Sequence, residues 1–252
     1  MERRKTTMAR RSKPTLSKRA LARGMGRNGS GSGFTLIETS MATVIIGVGV
    51  LAMVDAQSSF IVSNQWSSHA ASATFLANEI REMTRNLPKH DPVNGLTLID
   101  DGDGNMVISG WGVDSGEVVV GDFDDIDDFD GITFSYVGTP GLDDADLPGP
   151  INAFGEVIPA LSHTGVEQGS TNAEDVFSGT AMTGWYQTVF VEKINPFDTS
   201  EAYADAFFEA PDGSFPGREV DEYPLRVSVL IFYQGVNDLT ADLVTTVTWI
   251  VP

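Results

Sequence analysis

The 252-residue chain contains no cysteine. Disulfides and Cys-ligated metals are therefore excluded, and any stapling of its loops must come from another source. Histidine is almost as scarce: His69, His90 and His163 have no metal-ligand spacing. No nucleophile elbow, phosphate-binding loop or dinucleotide fingerprint occurs either, so the expectation is a protein that is not an enzyme. Positive charge is missing from most of the chain. Ten of the 16 Lys and Arg precede Phe34, opposed only by Glu2, which leaves six basic residues against 34 acidic ones and a formal charge of −28 over residues 34–252. That part has nothing with which to neutralise a phosphate backbone, so no nucleic-acid partner is expected.

Proline is absent from Phe34 to Leu87, and Pro88 ends the pattern. The residue before a proline is driven out of the helical region, so the spacing predicts one helix of 54 residues, about 80 Å long. Its first part carries no charge from Thr39 to Val54, and with Phe34 to Ile37 it supplies about 20 apolar residues, roughly what a bilayer needs. The basic segment before it belongs to the targeting class, and the positive-inside rule holds it in the cytoplasm while the acidic bulk goes outward. The second part repeats Val62, Trp66, His69, Ala73, Leu76, Ile80, Met83 and Leu87 at steps of four and three, one apolar stripe that should lie on a sheet. His69 and Trp66 read as stripe residues rather than as a catalytic group or a ligand platform.

One carboxylate, Glu38, stands at the head of this apolar run. An acid at membrane depth costs roughly 2.5–3.5 kcal/mol, which makes it a functional hypothesis by default. The run Gly33-Phe34-Thr35-Leu36-Ile37-Glu38 resembles the processing and methylation motif of type IV prepilins and type II secretion pseudopilins, and matches it at each position. Gly49 and Gln57 lie where the V-type minor pilins and I-type pseudopilins usually carry Gly and Gln, so the likeness is nearest to those subclasses. The resemblance covers about 55 residues of the chain.

It implies that a membrane prepilin peptidase cuts between Gly33 and Phe34 and N-methylates the new amino group of Phe34. Residues 1–33 would then be a basic prepilin leader, 34–60 the transmembrane and assembly half of the helix, and 61–88 its amphipathic half. Glu38 would pair with the Phe34 amine of a neighbouring subunit. A subunit out of register would keep an unpaired buried charge and be rejected. The partners implied are prepilin peptidase, other pilin or pseudopilin subunits, an inner-membrane assembly platform and membrane lipid. The protein would sit in the inner membrane by a single pass, with its globular domain extracytoplasmic (periplasmic), and would enter a pilus or pseudopilus. An ordinary signal anchor would also tolerate Glu38 near the interface; the adjoining Gly-Phe separates the two readings.

Residues 89–252 read as a β-rich globular domain. Strand signals recur at "LTLI", "NMVIS", "GEVVV", "GITFSYV", "WYQTVFVE", "PLRVSVLIFY" and "LVTTVTWIV" between Gly, Asp and Pro turns. The last two alternate and predict a terminal antiparallel hairpin, with Leu225, Val227, Val229, Ile231 and Tyr233 on one face. The fold class expected is α+β, a long helix packed on an antiparallel sheet in a pilin-like manner. The tract 138–184 has little periodicity and reads as a long surface insertion.

Two acidic stretches remain. "DDGDGN" sets Asp101, Asp103 and Asn105 at alternate positions, a calcium-loop spacing that lacks the Gly and Glu of an EF-hand. "GDFDDIDDFDG" crowds carboxylates around Phe123, Ile126 and Phe129, with Asp122, Asp124 and Asp127 as candidate ligands. Each stretch reads either as a calcium site or as a turn with a solvated acidic surface. Calcium is the one cofactor they would take. A membrane-anchored acidic protein that binds calcium or another ligand is accordingly the alternative to a filament subunit.

Overall fold

The computed structural model describes residues 34–141, 146–160 and 181–252. Residues 1–33 including Gly33, parts of the 138–184 tract and His163 lie outside the described residues. The chain divides after Ala56 into two units.

In the first unit, helix α1 (Leu36–Thr84) begins. Thr35 starts it: its carbonyl accepts the amides of Glu38 and Thr39, and its hydroxyl lies 3.3 Å from the Glu38 amide. This is the cap a helix N-terminus requires. The hydroxyls of Thr39, Ser40 and Thr43 bond back to the carbonyls of Leu36, Ile37 and Thr39. These three hydroxyls are thus satisfied within the helix, as a hydrocarbon environment would demand. Its apolar side chains are exposed, Leu36 at 87%, and the apolar window has a mean hydropathy of 1.9. The helix is long and apolar enough to cross a membrane.

The second unit begins at Gln57 and holds the rest of α1 and all the strands. Strands β1 (Thr97–Asp100) and β2 (Met106–Ser109) form an antiparallel hairpin. A five-stranded sheet runs in the order β4-β3-β5-β6-β7, built from β3 (Thr133–Ser135), β4 (Leu147–Pro148), β5 (Trp185–Lys193), β6 (Leu225–Tyr233) and β7 (Asp242–Val251). The pairings β3–β5, β5–β6 and β6–β7 are antiparallel; β3–β4 is parallel, so the sheet is mixed. The fold is α+β.

The core forms where two periodicities meet. On α1 the buried positions are Ala73, Leu76, Ala77, Ile80 and Thr84, spaced by three and four. On β5 and β6 they alternate, with Val189, Val191, Leu225, Val227, Val229 and Ile231 inward. The expected helical stripe therefore packs from Ala73 onward. His69 is half-buried against the rings of Trp185 and Tyr233, at 5.7 and 4.3 Å. Val62 and Trp66 stay exposed, so the stripe outruns its cover.

Two elements differ from the sequence expectation. "GEVVV" is a turn, because Asp122 takes the amides of Val118 and Val119 that a strand would have donated to a neighbour. The described part of the 138–184 tract is not all surface. Leu147 and Ile151 are core residues, and the inward-facing Gln187 of β5 holds both the amide of Ile151 (2.7 Å) and its carbonyl (3.1 Å). The same Gln187 donates to the Leu76 carbonyl of α1 at 2.9 Å. Farther along the tract, Pro159 and Ala181 pair as an antiparallel bridge.

Candidate functional site

Two places carry the residues that the sequence singled out. At the head of α1, Phe34 is 79% exposed and Glu38 is the acid of the first turn. A carboxylate there is favoured by the helix dipole. Glu38 makes no ion pair among the described residues. Its surroundings in this unit are apolar and exposed: Leu36, Ile37, Met41, Val44 and Ile45.

In the second unit the two acidic stretches have different fates. In the β1–β2 turn, the Asp101 carboxylate accepts the amide of Asp103 at 2.8 Å, that of Asn105 at 3.2 Å and the Asn105 side-chain amide at 3.0 Å. The bond from the Asn105 side chain leads the causes that hold Asp101 below the usual carboxylate range. Asp101 and Asn105 thus staple a turn, and Asp103 contributes only its backbone N–H. No three carboxylates of this hairpin come together within 4.8 Å.

The second stretch folds into a short 3₁₀ turn, Asp127–Phe129. Its apolar residues Phe123, Ile126 and Phe129 point into the core, and the Ile126 amide bonds to the Pro88 carbonyl just past the end of α1. Sinking these three drags their neighbours under: Asp125, Asp127 and Asp128 are 2%, 0% and 1% exposed. Oxygens of these three carboxylates lie within 4.8 Å of one another, and a second such group joins Asp128 to Glu117 and the exposed Asp124.

Backbone donors fix the trio. Asp128 Oδ2 accepts the amides of Asp124 (3.0 Å) and Asp125 (3.2 Å), Asp125 Oδ1 accepts the Asp128 amide (3.1 Å), and Asp127 Oδ1 accepts the Gly112 amide (3.1 Å). Asp127 Oδ2 meets His90 Nδ1. Burial pushes all three carboxyls up, Asp125 to about 8 with help from the Asp127 charge, and Asp127 and Asp128 to about 7. Burial takes His90 down to about 4, assisted by Lys89, so near neutrality it is uncharged, and a single proton between its Nδ1 and Asp127 Oδ2 makes their bond. Asp130 anchors the turn to its surroundings, accepting from the Val191 amide of β5 (2.9 Å) and from Trp111 Nε1 (3.2 Å).

Of the candidate ligands read from the sequence, Asp124 and Asp127 fall in these two carboxylate groups. Asp122 caps the 118–119 turn, and Asp101, Asp103 and Asn105 belong to the separate hairpin. Asp125 and Asp128 belonged to the same crowd of carboxylates in the sequence but were not among the candidate ligands. Their signal was a spacing of three around Ile126 and Phe129, the period of a 3₁₀ turn. Searched against family models, curated proteins and solved structures, the chain finds no match.

Proposed function

We propose that the chain is a minor type IV pilin or type II secretion pseudopilin, a structural subunit that enters a filament through the first half of α1. The observation that carries this reading is Glu38, a lone acid in the first turn of an exposed apolar helix, four residues after Phe34. As a membrane anchor alone the helix would need no acid, and burying one unpaired is costly. Against the amine of a neighbouring subunit's Phe34, the same carboxylate becomes one half of a buried pair that only the correct register completes. The exposed Phe60, Ile61, Val62 and Trp66 continue an apolar surface beyond the bilayer length, which supports helix packing against other subunits. In this reading Gly33 and Phe34 flank the cleavage point, Phe34 is N-methylated, and the acidic domain lies on the periplasmic side of the inner membrane until a platform extracts the subunit.

The test is N-terminal sequencing and intact mass of the membrane-extracted protein, made with and without a co-expressed prepilin peptidase. The expected product begins at N-methylated Phe34 only with the peptidase. A Glu38→Ala chain should be cleaved normally and fail to enter filaments. A protein that keeps its basic leader in both cases would instead be an anchored extracytoplasmic binder, with Glu38 no more than an interfacial residue.

A further inference from the structure

Three carboxylates are buried together in the 125–128 turn, and among the described residues no Lys or Arg lies in ion-pair range of them. A buried carboxylate is ordinarily paired or bound to metal. His90 is the one basic group in ion-pair range among the described residues, and it is aimed at Asp127 in its neutral form. Lys193, the nearby ammonium, donates to the carbonyls of Asp205 and Phe207. Asp125 and Asp128 accept from backbone amides, and Asp125 shares a side-chain hydrogen bond with Asp127.

A separate observation concerns one atom. Asp128 is 1% exposed, its Oδ2 is satisfied by two amides, and its Oδ1 is buried with no hydrogen-bond partner. Such an oxygen loses its hydration and gains nothing in exchange. Asp128 is also the residue common to both carboxylate groups. The unsatisfied acceptor and the convergence of oxygens therefore coincide on one side chain.

We propose that Asp125, Asp127 and Asp128 form a calcium site, with Asp128 Oδ1 as a direct ligand and with Glu117 and Asp124 at its solvent side. The donor set is all oxygen, which selects a hard cation over zinc or copper. Its carboxylates come from one irregular turn, and calcium accepts an irregular shell of six to eight oxygens where magnesium demands a near-ideal octahedron. Water and the two outer carboxylates can complete the shell. The site does not depend on the filament reading, since either a filament subunit or an anchored binder could carry it.

Its structural consequence follows from what the turn is tied to. Ile126 bonds to Pro88 at the end of α1, Phe129 is core, and Asp130 holds β5. The ion would do for this cysteine-free domain what a disulfide does elsewhere, fixing a loop onto the helix and the sheet.

The experiment uses the full chain in detergent, stripped with a chelator and then titrated with calcium. At calcium a hundredfold above its dissociation constant, the melting temperature should rise by about 5 °C or more. Terbium should bind in calcium's place, its luminescence excited through neighbouring Trp111, and calcium should quench the signal by displacement. Asp128→Asn should lose both responses, while Asp101→Asn in the β1–β2 turn keeps them. Should Asp128→Asn fail to fold, the terbium titration of the unaltered protein and of Asp125→Asn still decides. A melting temperature unmoved by calcium, with no terbium emission that calcium displaces, would overturn the proposal and leave protons as the counter-charge of the trio.

Discussion

Lys193 occupies an inward position on β5, fully buried, 5.4 Å from the Tyr223 ring and 6.0 Å from the Trp111 ring. Burial lowers its ammonium from 10.5 to about 8, opposed by the charges of Asp205, Asp221 and Asp127 and reinforced by Lys89. Below that value folded and unfolded chains both hold the proton, and the fold bears the whole cost of burying it. Between about 8 and 10.5 the unfolded chain binds more protons, so stability must rise with pH. The gain should be on the order of 2 kcal/mol, and Lys193→Met should lack it. Thermal melts of the two proteins at pH 7.5 and pH 10 measure the difference; parallel pH responses would reject it. Residue by residue, the sequence was legible where an alternation is written out, as at Leu225, Val227, Val229 and Ile231, which face inward as read. It was less legible at Asp125 and Asp128, because the depth to which a carboxylate sinks is decided by its apolar neighbours Ile126 and Phe129.

Among the elements, α1, β6 and β7 were readable before the structure, because each is long enough to express its period. The helix stops at Thr84, three residues before Leu87, where Thr84 turns its hydroxyl back onto the Ile80 carbonyl. β4 was not readable: two residues of a Gly- and Pro-rich tract have no period, and their place in the sheet comes from β3. What keeps Ile151, three residues on, in the core is the Gln187 side chain, which bridges it to α1 and β5. Replacing Gln187 with Ala removes the partner of a buried amide and leaves a cavity, at a cost of about 2–4 kcal/mol. Thermal melting should show that loss, and limited proteolysis should cut faster between Pro150 and Gly184. A variant as stable and as resistant as the parent would show that the clamp is dispensable.

At the scale of the whole molecule, charge dominates. Residues 34–252 carry a formal −28, and the described residues offer four ion pairs, one of them with the neutral His90. Self-repulsion of this size destabilises a compact state. Raising the ionic strength from 0.01 to 0.15 M shortens the screening length from about 30 to 8 Å, so the melting temperature should climb with sodium chloride in a chelator-containing buffer. A fall would mean that the few attractive pairs outweigh the repulsion.

The bridge between Pro159 and Ala181 has a consequence of another kind. Reinforced by the bond from the Met182 amide to the Ile158 carbonyl, it brings together the two ends of the stretch 161–180. Segments 146–160 and 181–193 are therefore joined by backbone bonds of their own, a contact made across the twenty residues that separate them in sequence.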